Sequence, residues 1–220
     1  MRRVLSALIL ATFALVAQLP PSARASELDK INGAVQVAAG QQVGDVSTVN
    51  GAVRIGAGAG VRKASTVNGS LQLGDKAQAA ELGTVNGAIT MGEHSRVSGD
   101  VDAVNGGIHL ATGADVGGKL GNVNGGIVLD DAHVAGGLRT VNGDITVGAG
   151  SHVEGGILID KPGGWFHWGS SRNPLVVIGP HAVVQGTLEF KRPVDLKVSD
   201  SAQIGPVTGA TVVKFSGATP

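Results

Sequence analysis

The amino-acid sequence predicts an all-β protein: a single-stranded parallel β-solenoid, or β-helix, whose short coils stack on one another. The first observation is a motif of an aliphatic residue followed by Asn-Gly, which occurs seven times at spacings of 18 or 19 residues. A fixed period near 20 residues is the signature of a solenoid. The second observation is strict alternation after each motif, as in Val53-Arg54-Ile55, which is the periodicity of a β-strand.

Composition supports this fold class and excludes several functions. Glycine supplies 36 of the 220 residues, and Val, Ile, Leu and Ala keep the chain apolar, so the fold turns often and buries small aliphatic side chains. Cysteine is absent, which excludes disulfides, a thiol nucleophile and Cys-ligated zinc. No basic cluster points to nucleic acid as a partner.

Residues 1–25 read as a secretory signal peptide. Arg2 and Arg3 precede an apolar run from residue 4 to 16, and Ala23-Arg24-Ala25 forms a small-x-small cleavage site. Cleavage leaves 14 basic and 17 acidic residues, a net charge of −3. No later segment approaches the roughly 20 apolar residues of a membrane span. We therefore expect an exported chain, in the periplasm or at the cell surface, without a transmembrane segment after cleavage.

Aligning the coils on the motif predicts five columns of inward aliphatic side chains. The columns are Ile31, Val49, Val67, Val85, Val104, Val123 and Val141; Val35, Val53, Leu71, Ile89, Ile108, Ile127 and Ile145; Val37, Ile55, Leu73, Met91, Leu110, Leu129 and Val147; Val43, Val61, Ala79, Val97, Val116, Val134 and Val153; and Val46, Ala64, Leu82, Val101, Leu120, Leu138 and Ile157. Each coil should hold about three short strands, giving a triangular section.

The chain divides into segments along this repeat. Residues 26–159 form seven Val-Asn-Gly coils, residues 160–174 an aromatic insertion loop, residues 175–213 C-terminal coils and residues 214–220 a tail. In the C-terminal coils, Ile178, Ala182 and Val184 recur as Val198, Ala202 and Ile204, a period of 20. About nine coils are predicted in all.

The Asn-Gly pairs are interpreted as structural bends rather than as a repeated active-site motif. A bend demands positive φ at one or both residues, which Gly adopts freely and Asn better than most residues. Stacked asparagine side chains also form hydrogen-bonded ladders. The asparagines are Asn32, Asn50, Asn68, Asn86, Asn105, Asn124 and Asn142.

Two C-terminal stretches carry a resemblance to a known family. VVIGPHAVVQGTLEF (residues 176–190) and VSDSAQIGPVTGA (residues 198–210) follow an Ile-Gly-x-x-Ala-x-Val-x-Gly-x-Leu pattern that resembles the coil of the bactofilins, polymer-forming bacterial β-helix proteins. The Val-Asn-Gly coils resemble repeat domains of unknown function described as candidate adhesins. The resemblance spans residues 31–213 and implies a right-handed solenoid that associates through its end coils or sides. Bactofilins are typically cytoplasmic, whereas this chain carries an export signal.

A left-handed hexapeptide solenoid is the alternative architecture. Aliphatic residues spaced by six run from Val49 through Ile55 and Val61 to Val97. Later coils break this spacing, with seven residues from Val97 to Val104 and five from Leu129 to Val134. The irregularity favours the right-handed form.

The insertion loop contains the strongest candidate binding site. Trp165, Phe166 and Trp168, with His167 between them, are three of the five aromatic residues after the signal peptide. Aromatic rings with polar edges stack on sugars or enter a membrane surface. The structural alternative is a lid that covers a solenoid face or an exposed strand edge.

Other candidate sites carry less support. His133 and His152 share a column and should lie on neighbouring coils, but no third ligand completes a metal site. Asp130, Asp131 and Glu154 are the carboxylates to examine for glycan cleavage. A row of threonines beside the asparagines (Thr48, Thr66, Thr84 and Thr140) is compatible with ordering water, as in ice-binding solenoids. No catalytic residue, metal ligand or cofactor is assigned.

The sequence therefore predicts a non-enzymatic, exported protein with a structural, self-assembling or adhesive role in the bacterial envelope. Self-association and cell-envelope glycan are the expected partners. The alternative is a carbohydrate- or envelope-binding module that uses the loop around Trp165 and Trp168.

Overall fold

The computed structural model describes residues 27–162 and 172–220, and these residues form strands joined by short turns, without a helix. The predicted signal peptide and the aromatic residues 165–168 lie outside the described residues. The export prediction and the aromatic-site prediction therefore stay predictions.

Twenty-six short strands follow one another along the described chain. The first ten are β1 (Leu28–Asn32), β2 (Val35–Val37), β3 (Gln42–Asn50), β4 (Val53–Ile55), β5 (Gly60–Asn68), β6 (Leu71–Leu73), β7 (Gln78–Asn86), β8 (Ile89–Met91), β9 (Arg96–Val97) and β10 (Val101–Asn105). The next nine are β11 (Ile108–Leu110), β12 (Asp115–Val116), β13 (Leu120–Asn124), β14 (Ile127–Leu129), β15 (His133–Val134), β16 (Leu138–Thr140), β17 (Ile145–Val147), β18 (His152–Val153) and β19 (Ile157–Ile159). The last seven are β20 (Leu175–Ile178), β21 (Val183–Val184), β22 (Leu188–Phe190), β23 (Asp195–Ser199), β24 (Gln203–Ile204), β25 (Val207–Thr208) and β26 (Val212–Phe215).

The strands form a parallel β-solenoid, which confirms the predicted fold class. Ten strands, from β2 to β26, stack in one sheet, so the rod has ten turns rather than about nine. The second sheet has sixteen strands in two rows, which the nine-residue strands β3, β5 and β7 join by running across both. Parallel strands lie about 4.8 Å apart, so ten turns extend about 43 Å from the first to the last.

Four of the five predicted aliphatic columns fill the core. The columns that begin at Val35, Val37, Val43 and Val46 are buried in every coil from residue 35 to 157. In the C-terminal coils, Ile178 pairs with Val198 and Val184 pairs with Ile204, as the 20-residue period predicts. Hydrophobic burial along these columns holds successive coils together.

The prediction for the first column is wrong. Six of its seven members are exposed, with fractions of 72% at Ile31, 42% at Val49 and 38% at Val123, and Val141 is half-buried. The residue before each valine points inward instead, and the inward set is Thr48, Thr66, Thr84, Ala103, Asn122 and Thr140. The ice-binding hypothesis is wrong for the same reason, because its threonines are buried.

The buried threonines satisfy a backbone group that valine could not. The hydroxyl of Thr48 donates to the carbonyl of Gly33 at 3.1 Å, and Thr66 donates to Gly51 at 2.9 Å. Each bond reaches the Asn-Gly bend of the preceding coil. A buried hydroxyl without a partner is costly, so these bonds to the bend allow threonine to occupy the inner side, with the valine outside.

A column of small residues at another corner escaped the sequence alignment. It consists of Ala59, Ala77, Ser95, Ala114, Ala132, Ser151 and Ala182, all at most 4% exposed. Small side chains fit because the chain turns sharply there. The signal was present in the sequence, since from Ile55 onwards Ala or Ser recurs in each coil three or four residues after the third aliphatic column.

Positive φ occurs mainly at this small-residue corner rather than at the asparagines. The turn residue immediately before each small residue is left-handed in successive coils, with φ of 65° at Gly58, 57° at Lys76 and 53° at His94. None of the seven motif asparagines has positive φ. The motif glycines Gly33, Gly87, Gly106 and Gly125 do have positive φ, so the prediction of positive φ at one or both residues of the pair holds for the glycine in these four coils and not for the asparagine.

The glycine of the motif is required chiefly by close approach between coils. A Cβ added to Gly69 would overlap the carbonyl oxygen of Gly51, and a Cβ on Gly87 would overlap that of Gly69. Gly106 and Gly125 meet the same obstacle in the following coils. Stacked bends thus leave no room for a side chain.

Candidate functional site

The asparagines form one continuous ladder along an outer corner of the rod. The side-chain amide of Asn50 donates to Oδ1 of Asn32 at 3.0 Å, and the pattern repeats in each coil up to Asn142, which donates to Asn124 at 2.9 Å. Each amide from Asn50 to Asn142 therefore points a donor towards the N-terminal end. The ladder couples each coil to the next at the surface.

Arg192 closes the C-terminal end of this ladder. One guanidinium nitrogen donates to Oδ1 of Asn142 at 2.7 Å and to the carbonyl of Val141 at 3.2 Å. The sequence KRPV (residues 191–194), which includes Arg192, lies between β22 and β23. It therefore caps the ladder and not the final coil.

The motif valines make an exposed apolar line beside the ladder. We call Val49, Val67, Val85, Val104 and Val123 the valine row. Each is 38–42% exposed, and Ile31 extends the row by one coil. Other outward positions of the same coils are largely polar, as in Arg54 and Gln72. A continuous apolar line on an otherwise polar surface marks a site of interaction.

A shallow trough runs parallel to the valine row. The residues two positions before the valines form its floor: Ser47, Ser65, Gly83, Asp102 and Gly121, which pair in register from coil to coil. Lys63, Glu81 and Asp100 stand on the far side of the trough, and we call them the charged edge. The groove between this edge and the valine row has a volume of about 530 Å³.

The charged edge has a carboxylate excess. Lys63 pairs with Glu81 at 2.9 Å, while Oδ1 of Asp100 accepts the backbone N–H of Lys119 at 2.8 Å. Asp102 lies in the trough close to both acids. Partial burial raises the pKa of Asp102, and the charges of Asp100 and Glu81 raise it further. Four of the five floor residues of the trough are thus Ser or Gly, and the remaining one, Asp102, is acidic.

A second cluster lies on another row of strands. Nδ1 of His133 is 2.6 Å from Oδ1 of Asp115, and Nε2 of His133 is 3.1 Å from Oε1 of Glu154. Arg96 pairs with the other oxygen of Asp115 at 2.9 Å. The rings of His133 and His152 lie 5.7 Å apart, on neighbouring coils as predicted.

His133 is placed to carry a proton. The hydrogen bond to Asp115 raises the pKa of His133 most; burial opposes this, and Glu154 adds to it. Three consecutive coils, through β12, β15 and β18, are therefore joined by a charge chain that is complete only when the imidazole is protonated.

Stability should depend on pH through this residue. Because the folded pKa of His133 lies above its unfolded value of about 6.5, its contribution is full below that value and is lost as the pH rises through the folded pKa. We expect His133→Gln to lower the melting temperature at about pH 5.5 and to have little effect at about pH 8.5. Thermal unfolding followed by circular dichroism measures both values.

The matched control is His181→Asn. His181 is exposed and has a φ of 56°, a conformation that asparagine tolerates. The melting temperature of His181→Asn should differ from that of the wild type by the same amount at both pH values. A His133→Gln effect that is equally independent of pH would contradict the assigned role.

The last coil carries a charge in a core column. Lys214 occupies the position that pairs with buried Val198, and its ammonium group donates to the carbonyl of Ser199 at 3.3 Å. A further coil stacked on this end would bury that charge. Inward-pointing charges are a common device against association at a sheet edge.

The structure separates the other residues that the sequence singled out. Asp130 Oδ2 lies 2.7 Å from His109 Nε2, Glu154 contacts His133, and Asp131 is a left-handed turn residue. These carboxylates thus contact histidines and a turn rather than one another. Across residues 27–162 and 172–220, no three His, Asp or Glu side chains converge as a metal site would require.

Trp165, Phe166, His167 and Trp168 lie outside the described residues, and their binding role stays a prediction from sequence. The flanking strands are described, since β19 ends at Ile159 and β20 begins at Leu175.

The valine row was missed as a surface because its residues were assigned to the core. Within the described ranges, no helix has the length and hydrophobicity needed to cross a membrane.

The fold and its surfaces define the class of protein: a parallel β-solenoid of Val-Asn-Gly coils. Comparison with protein-family models, curated proteins and solved structures finds no match to the chain. The likeness of residues 176–210 to bactofilin coils thus rests on the sequence pattern alone.

Proposed function

We propose that this protein is an exported, non-enzymatic structural element of the bacterial envelope that acts by self-association. The observation that carries the proposal is the valine row, five valines in five successive coils, each 38–42% exposed. Exposing such a line to water is unfavourable unless a partner covers it. A rigid rod with a repeating surface suits assembly or adhesion at a surface.

Two further features support this proposal. The signal-peptide pattern of residues 1–25 directs the chain out of the cytoplasm, to the periplasm or cell surface. The C-terminal coils resemble the polymer-forming bactofilins, and the Val-Asn-Gly coils resemble repeat domains of unknown function that are described as candidate adhesins. The ladder and the buried columns keep the surface in a fixed register.

Sedimentation velocity of residues 26–220 tests the proposal, with electron microscopy of the same samples. We expect the sedimentation coefficient to rise with protein concentration, because the valine row becomes covered in the associated state. Paired rods or larger assemblies should be visible at the highest concentration. A single species with the coefficient of one rod at every concentration would contradict the proposed function.

A further inference from the structure

We propose that two copies of this chain pair side by side around a twofold axis parallel to the rods, with the valine row of each in the trough of the other. The inference rests on the proposed self-association and specifies the surface, the partner and its orientation. The partner is a second copy because one face carries both halves of the contact.

The shape of the face gives the orientation. The valine row and the trough are parallel lines two residues apart on the same strands, which places them about 7 Å from each other. A twofold axis along the rod, midway between the lines, exchanges the two. Val67 of one copy then enters the trough at Ser65 of the other, and the reverse contact follows by symmetry. Antiparallel rods would instead place valine row against valine row.

The flanking residues give this contact a polar rim on both sides. Across the face, the order is charged edge, trough, valine row and asparagine ladder. In the paired arrangement, the ladder of one copy faces the charged edge of the other, so Asn68 and Asn86 meet Lys63 and Glu81. Amides that donate and accept suit both charges. An apolar centre with a polar rim is the usual anatomy of a protein interface.

The ends of the rod are less suitable for the same partner. Lys214 places its charge in a core column of the final coil. End-to-end stacking would bury this ammonium group without a carboxylate to pair with it, which is costly. The lateral face buries no comparable cation, because Lys63 already pairs with Glu81 at 2.9 Å.

The area of the face matches a weak, concentration-dependent pair. The face covers six coils from Ile31 to Val123, each about 4.8 Å wide and together about 29 Å along the rod, and it extends about 17 Å across, from Lys63 to Asn68. Two copies therefore bury about 1,000 Å², which is the lower end of specific interfaces. We expect association that is reversible in solution.

Two acids occupy trough positions of this face. Asp29, in the Ile31 coil, accepts the hydroxyl of Ser47 at 2.6 Å, and Asp102 is the mismatch inside the valine row. It lies where Val104 of the partner would enter, so pairing removes its carboxylate from water without a cation to compensate. The acids of the charged edge already disfavour its ionised form. Replacing Asp102 by serine restores the chemistry of Ser47 and Ser65 and should strengthen the pair.

Three single variants test the surface by sedimentation equilibrium. Val67→Asp should weaken association by a factor of about 10 to 100, since it places an unpaired carboxylate in the interface. Asp102→Ser should strengthen it by a factor of about 3 to 10. Val213→Asp is the matched control, because Val213 is 57% exposed on a different row of strands. Thermal unfolding verifies that each variant is folded.

Disulfide trapping tests the orientation, since the chain has no cysteine of its own. Ser65→Cys and Val67→Cys are prepared separately, each with a different affinity tag, and mixed under mild oxidation. The proposed pair predicts a mixed disulfide between the two variants and little product from either alone. Efficient trapping of Val67→Cys with itself would overturn the ridge-in-trough geometry.

The outcomes separate this inference from the proposed function. If the wild type associates but Val67→Asp associates equally well, the surface is wrong and self-association stands. If the wild type remains a single rod at every concentration, both proposals fail. Weaker association of Val67→Asp, stronger association of Asp102→Ser and the mixed disulfide together support the pair.

Discussion

Replacing Gly69 by alanine is expected to destabilise the rod by about 2 to 3 kcal/mol or more, because overpacking forces the backbone to move. Gly69 follows Asn68 in the third Val-Asn-Gly bend. A Cβ there would overlap the carbonyl oxygen of Gly51 in the bend above. Shifting this bend also strains the hydrogen bond that the hydroxyl of Thr84 donates to the carbonyl of Gly69 at 3.2 Å. Denaturant unfolding followed by circular dichroism measures the loss.

Gly83→Ala is the control for this prediction. Gly83 lies in the same part of the rod, and a Cβ there meets no heavy atom within 4 Å. The substitution should leave the free energy of unfolding unchanged within about 0.5 kcal/mol. Equal effects at Gly69 and Gly83 would show that stacking of the bends does not require glycine.

Truncating Leu71 should destabilise the protein strongly, whereas truncating Val67 should not. Leu71 is completely buried, and Leu→Ala in a packed core costs about 2 to 5 kcal/mol. Val67 is 40% exposed in the preceding strand, and a surface substitution changes stability by less than about 0.5 kcal/mol. Dilute samples are needed for the Val67→Ala measurement, so that association does not contribute.

This comparison separates the two ways of placing the motif valine. If the valine faced the core, Val67→Ala would leave a cavity and lower the free energy of unfolding by about 1 kcal/mol or more, as truncation of other buried aliphatic residues does. A loss of that size in dilute solution would contradict the outward orientation.

The fold could be predicted because the repeat was regular and the aliphatic columns were long. Alternation at Val53 and Ile55 gave the correct inward face, and burial along those columns is independent of details at the bends. The error arose where hydrophobicity and alternation disagreed. Val46 is inward, so strand alternation places Thr48 inward and Val49 outward. Assigning the more apolar residue to the core overrode that alternation.

The surfaces were harder to predict than the core. The threonine needs its hydroxyl to reach Gly33 of the previous coil, a contact between residues 15 apart that a single strand does not reveal. The left-handed turns of Lys76 and His94 lie where neighbouring coils often carry glycine, as at Gly58. Comparison of equivalent coil positions would have found them. The trough depends on small residues in successive coils, which contribute little to a hydrophobicity pattern.

Sedimentation equilibrium of residues 26–220, wild type beside Val67→Asp, tests most directly whether the motif valines form an exposed surface of association. We predict that the average mass of the wild type rises with concentration from one chain towards two, while Val67→Asp stays near one chain over the same range. Identical mass curves for the two proteins, with both remaining folded, would contradict the account.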